Sequence, residues 1–171
     1  GLVGESGCGK STLARCVLQL IKPTSGSVFY NDVDLTKIGG NSLRKLRAKF
    51  QMVFQDPGES LNPRMKISEI IGEPLNLHTN LSTEQKRSRM EEIMNEVGLK
   101  TDHLERFPHQ FSGGQQQRIG IGRAIATKPN FIILDEPTSA LDVSIRGQIL
   151  KLLQDLRHRF NLSYLLITHD L

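Results

Sequence analysis

The chain has 171 residues, the size of one ordinary domain, long enough to bury a core and too short for two full domains. Hydrophobic residues at 37% and charged residues at 23% exclude an intrinsically disordered chain. A net charge of +4, from 22 basic and 18 acidic residues, falls far short of the dense basic face of a nucleic-acid binder.

The two cysteines, Cys8 and Cys16, stand close together at a spacing that suits no disulfide, and they read as reduced, cytosolic thiols. The sequence holds no run of about 18 apolar residues, so a membrane role is expected to come through a partner.

In chain order, Gly1, Leu2 and Val3 read as the last residues of a strand whose beginning is absent, and the chain is expected to be truncated at both ends. A glycine-dense loop follows over 4–9. A helix comes next, with Leu13, Val17, Leu18 and Ile21 on one face, and lasts until Pro23. Residues 27–30 predict a short strand, 42–49 a basic helix, and 50–54 a buried strand ending at Gln55. From 66 to 111 the apolar spacing is helical, through Ile67, Ile70, Ile71, Met90, Ile93, Met94 and Val97, with breaks predicted at Pro74, Gly98 and Pro108.

After Gly113 and Gly114 a helix runs through Ile119, Ile121, Ala124 and Ile125 to Pro129. Residues 131–134 are a continuous apolar run, as expected of a parallel strand buried on both faces, and it ends in Asp135-Glu136-Pro137. A helix over 143–160 and a strand over 164–167, ending at Thr168-His169-Asp170, complete the pattern. Strands alternating with helices predict an α/β fold with a mostly parallel sheet flanked by helices. The predicted division is an α/β core over 1–65 and 112–171 with a helical subdomain inserted at 66–111.

Gly4-Glu5-Ser6-Gly7-Cys8-Gly9-Lys10-Ser11-Thr12 satisfies the G-x-x-x-x-G-K-[ST] pattern between a strand remnant and a helix. Glycines let the backbone curl so that successive N–H groups point inward at phosphate oxygens, and the helix N-terminus adds its positive end. Lys10 is the candidate for the β- and γ-phosphates, Ser11 for Mg²⁺, and Thr12 for the α-phosphate. Asp135, at the end of a buried strand, is the candidate metal carboxylate. Glu136, one residue on, is placed to polarise an attacking water. Ser112-Gly113-Gly114-Gln115 forms a second helix start with the character of an anion site and without a lysine.

Ser-Gly-Gly-Gln between a phosphate loop and a strand-Asp-Glu element resembles the signature of ATP-binding cassette proteins. Gln55, the loop Ser139-Ala140-Leu141-Asp142, and His169 stand in that family's order and spacing. The resemblance spans essentially the whole chain. It implies a P-loop ATPase fold, ATP and Mg²⁺ as ligands, and two cassettes paired head to tail. Ser112, Gly113, Gly114 and Gln115 would then clamp an ATP held by the second cassette, and Asp142 would work across the interface. It further implies that Gln55 contacts Mg²⁺ or the water and that His169 hydrogen-bonds the γ-phosphate.

Val53-Phe54-Gln55-Asp56-Pro57, Ser60-Leu61-Asn62-Pro63-Arg64-Met65 and the run from Pro108 to Ile119 resemble the ATPases of oligopeptide and dipeptide importers. Phe111 in place of the commoner leucine fits that class. This implies transmembrane permease subunits as partners, an extracytoplasmic solute-binding protein indirectly, no nucleic acid, and a peripheral location on the cytoplasmic face of the plasma (inner) membrane. Gly58 and Gly122 depart from the class and are expected to loosen local packing or helix propensity. The alternatives are a soluble cassette ATPase acting on nucleic acid or the ribosome, and an importer of nickel, glutathione or sugar.

Overall fold

Four strands lie parallel in the order β1-β6-β5-β4: β1 (Leu2–Val3), β4 (Phe50–Val53), β5 (Phe131–Asp135) and β6 (Ser163–Thr168). This is a computed structural model, and it describes residues 1–169; Asp170 and Leu171, which close the predicted core, lie outside the described residues. The register pairs Val3 with Thr168, Asp135 with Ile167 and Val53 with Leu134. All four strands therefore end at one edge of the sheet. A two-residue antiparallel hairpin, β2 (Phe29–Tyr30) and β3 (Val33–Asp34), stands apart from this sheet. Its turn is Asn31-Asp32, both at positive φ (45° and 65°), as a two-residue hairpin turn requires.

The helices are α1 (Lys10–Val17), α2 (Gly40–Arg47), α3 (Pro57–Ser60), α4 (Ile67–His78), α5 (Thr83–Glu96), α6 (Gly113–Ile125) and α7 (Val143–Phe160). Short 3-10 turns occupy Thr101–Glu105 and Pro108–Gln110. β5 explains the layering. Ile132 and Leu134 face the larger apolar cluster, formed with α4 to α7, while Ile133 faces the smaller one with Ala14 and Leu18 of α1 and its cap. Each such side chain contributes roughly 1.5–3 kcal/mol on burial, which is why this strand is apolar without alternation.

Pro74 does not end a helix as its type predicts: α4 runs through it to His78. Ile67, Ile70, Ile71 and Leu75 are all buried along one stripe, and that burial outweighs the roughly 3 kcal/mol cost of an internal proline. Gly98 does act as a stop, with φ 71° just past the end of α5. Gly122 also departs from expectation. A Cβ placed there would stand 3.0 Å from Cγ2 of the fully buried Ile93, so this glycine marks a close approach of α6 to α5 and not a loosened one. At Gly58 a Cβ would meet Asp56 Oδ1 at 3.2 Å, where Asp56 caps α3.

Candidate active site

The phosphate loop leaves β1 and enters α1. Gly7 (φ 81°) and Gly9 (φ 97°) hold left-handed backbone that a side chain would strain, and Gly9 is the N-cap of α1. A Cβ on Gly4 would meet Cys8 Sγ at 3.0 Å, so the loop closes tightly on itself. Lys10 is buried and donates from Nζ to the Gly4 and Glu5 carbonyls, both at 2.7 Å. Its ammonium thus spans the loop from inside. Glu5, Ser6, Cys8 and Thr12 are exposed. Ser11 donates its hydroxyl to Oδ1 of the buried Asp135 at 3.1 Å, joining the loop to the end of β5.

Around Glu136 three strands converge. Gln55, two residues past β4, donates from Nε2 to Glu136 Oε2 at 3.1 Å. His169, directly after β6, brings Nδ1 within 2.9 Å of the same oxygen. Glu136 adopts φ 45°, uncommon for a residue with a side chain. Its N–H donates to the Ile167 carbonyl at 3.0 Å, and its own carbonyl accepts from the Ser139 hydroxyl and backbone N–H at 3.0 and 3.1 Å. The segments that follow these four strands thus meet through the parallel register, at the carboxyl ends of the strands where open α/β sheets place their ligands.

The donor set suits Mg²⁺. Ser11 and Asp135 offer a hydroxyl and one carboxylate side by side, and among the described residues no cluster of three or more His, Cys, Asp and Glu side chains forms a metal cage. Mg²⁺ commonly takes one or two carboxylates and completes its shell with phosphate oxygens and water.

Ser112 is the N-cap of α6. Its hydroxyl accepts from Gln115 N–H at 3.4 Å, and Gln115 Oε1 accepts from Ser112 N–H at 3.0 Å. Gln115, a candidate nucleotide contact, therefore spends its side-chain oxygen closing the turn. A Cβ on Gly113 would touch Leu141 at 3.6 Å, which puts this turn beside the 139–142 loop. Asp142 is exposed, and its backbone carbonyl accepts the first hydrogen bonds of α7.

Sequence reasoning passed over three residues that hold this geometry. Gln117, 1% exposed, donates from Nε2 to the Pro137 carbonyl at 2.7 Å, next to Glu136. Arg146 donates to the Leu141 and Ser139 carbonyls at 2.9 and 3.4 Å and braces the 139–142 loop. Arg123 of α6 donates to the Ser60 carbonyl at 2.7 Å and lies over the Phe54 ring, and burial holds its pKa below the usual guanidinium value. The one available signal was polar residues set among the apolar positions of two helices, Gln117 and Arg123 on α6 and Arg146 on α7.

Comparison with known proteins agrees with this geometry. A family model described as ABC transporter matches residues 1–139. The chain is 49% identical over its full length to the oligopeptide transport ATP-binding protein AppF of Bacillus subtilis. It is 51% identical over 99% of its length to the dipeptide transport ATP-binding protein DppF of Escherichia coli. It spans 52% and 51% of those two relatives, about half their length. Among solved structures it is similar to the dimeric ATP-binding cassette MJ0796 in a post-hydrolysis state bound to ADP and Pi. That match has a TM-score of 0.84 at 33% identity and covers 99% of this chain and 73% of the other. The chain belongs to the ABC transporter family.

Proposed function

We propose that this chain is the nucleotide-hydrolysing part of the ATP-binding subunit of a peptide importer. The observation that carries the reading is the Gln55–Glu136–His169 cluster standing beside the Ser11–Asp135 pair at the mouth of the phosphate loop. The similarity to oligopeptide and dipeptide transport ATP-binding proteins supports the cargo class.

ATP would lie with its β- and γ-phosphates in the loop formed by Gly4 to Thr12, against inward N–H groups and the Lys10 ammonium. Ser11, Asp135 and Gln55 would hold Mg²⁺, which neutralises charge on the β- and γ-phosphates when bound. Glu136 orients a water in line with the γ-phosphorus. The water oxygen bonds to phosphorus, the bond to the β–γ bridging oxygen breaks with its electron pair leaving on ADP, and Glu136 takes the water's proton. His169 fixes the carboxylate through Oε2, which leaves Oε1 for the water. That contact uses Nδ1, so Nε2 would be the ring nitrogen left for the γ-phosphate.

The turn at Ser112, Gly113, Gly114 and Gln115, with Asp142, would complete the nucleotide site of a second cassette in a head-to-tail pair. The dimeric form of the similar cassette MJ0796 supports that arrangement. Residues 66–111 would act as a helical subdomain that passes closure of the pair to transmembrane permease subunits, themselves fed by an extracytoplasmic solute-binding protein. Among the described residues no helix is long and apolar enough to cross a membrane, so attachment to the cytoplasmic face would run through those partners.

Glu136→Gln should lower ATP turnover of the full-length protein by about 10² or more while leaving ATP affinity unchanged, because only the proton acceptor is lost. Steady-state phosphate release and nucleotide titration check both halves. Near-normal hydrolysis would remove Glu136 from this role.

A further inference from the structure

We propose, on the reading that residues 112–115 face the nucleotide of a second cassette, that Ile145 is a positioning residue for that turn. Gly114 is the second residue of α6 and has no left-handed backbone, so its φ and ψ admit any side chain, and helix propensity favours alanine there. What forbids a side chain is Ile145. A Cβ on Gly114 would stand 2.7 Å from Ile145 Cγ2, with Cβ and Cγ1 of the same residue at 3.9 Å. Gly113 differs, since its Cβ would make only an ordinary contact with Leu141 at 3.6 Å.

Cγ2 is no flexible end that can swing aside. It is carried on the branched Cβ of a residue in the first turn of α7, where rotation about χ1 is restricted, and Ile145 packs against the larger apolar cluster. The floor beneath the turn is therefore rigid. It is also joined to this chain's own reaction centre. Arg146, the next residue, holds the Leu141 and Ser139 carbonyls, and Ser139 holds the carbonyl of Glu136. From the 112–115 turn through Ile145 and the 139–142 loop to Glu136, the contacts form one unbroken body. The height of the turn is thereby tied to the position of this chain's own catalytic carboxylate. A methyl at Gly114 would have to lift the turn, or push α7 away, by roughly 0.7 Å to reach an ordinary contact.

The test is a cycle of Gly114→Ala, Ile145→Ala and the double variant in the full-length protein, read as kcat, KM for ATP, and nucleotide affinity of the monomer. Gly114→Ala should cut kcat by about 10- to 100-fold, as a misplacement of this size does, with monomer affinity unchanged. Ile145→Ala alone should cost a few-fold, and the double variant should recover most of the loss seen in Gly114→Ala. Ile145→Leu, which moves the branch off Cβ while keeping the volume, should rescue as well and covers the case in which the alanine fails to fold.

A double variant as slow as Gly114→Ala overturns the proposal, because the methyl is then excluded by the second cassette's nucleotide. A fully active Gly114→Ala overturns it too. If the wild type binds ATP without hydrolysing it, the functional reading fails separately, and thermal melts of the same four proteins decide. A loss of Tm in Gly114→Ala that Ile145→Ala removes supports the contact, and additive losses overturn it.

Discussion

Glu136 combines a left-handed backbone with a carboxylate gripped on one oxygen by Gln55 and His169. A non-glycine residue in that conformation costs about 1–3 kcal/mol and persists only where its surroundings fix it. Here the fixing groups are the Ile167 carbonyl, Ser139, and the hold of Gln117 on the next carbonyl along, that of Pro137. Gln117→Leu keeps a similar volume but leaves the Pro137 carbonyl unpaired in the interior. The expected cost is about 1–3 kcal/mol, or a fall in Tm of roughly 2–4 °C for each kcal/mol in a chain of this size. Because the loosened carbonyl adjoins Glu136, kcat should fall more than KM for ATP rises. Differential scanning calorimetry and steady-state kinetics on one preparation check the two effects, and an unshifted melt would show that the bond contributes nothing.

At the scale of elements, Gly122 carries the sharpest contrast between type and place. In the middle of α6 an alanine gains about 1 kcal/mol of propensity over glycine. Its methyl, however, would stand 3.0 Å from Ile93 Cγ2, with Val97 at 3.6 Å and Ile71 at 3.8 Å, all three fully buried. Overpacking of that kind costs about 1–3 kcal/mol, so Gly122→Ala should be destabilising on balance, by about 1 kcal/mol in urea titration, with m unchanged. A stabilised variant would show that α5 can yield.

The same case marks what could be read from sequence. The phosphate loop, the Asp135-Glu136 pair and the 112–115 turn are each contiguous and carry a local pattern, so order along the chain was enough to propose them as site segments. The room around Gly122 is set by α4 and α5, and the hold of Gln117 by a residue 20 positions away. Neither leaves a local pattern. β3 was missed because two residues are too few to show alternation, and Pro74 misled because the buried stripe of α4 outweighs its ring.

At the scale of the molecule, four parallel strands deliver their site segments to one edge, yet the chain carries two glycine-containing turns of different kinds, each proposed to face a phosphate. The loop with Lys10 is tied to Asp135 through Ser11, whereas the turn at Ser112 rests on the 139–142 loop and α7. Their different supports are what the proposed head-to-tail pair needs, because each turn then serves a different nucleotide. Ser112 is exposed and its hydroxyl does local capping work, so its removal alone should cost about 1 kcal/mol of stability and leave the surface open. Bulk at that position should do something else. In a Glu136→Gln background, where ATP is retained, the full-length protein should dimerise on adding ATP, and the added Ser112→Ala should not prevent it. Ser112→Phe should keep the protein monomeric while its affinity for ATP stays the same, since the Lys10 loop is untouched. Size-exclusion chromatography with light scattering reads the first property and nucleotide titration the second. Dimers formed by Ser112→Phe as readily as by its parent would take the turn out of the interface, and loss of binding by the monomer would place it beside the chain's own nucleotide.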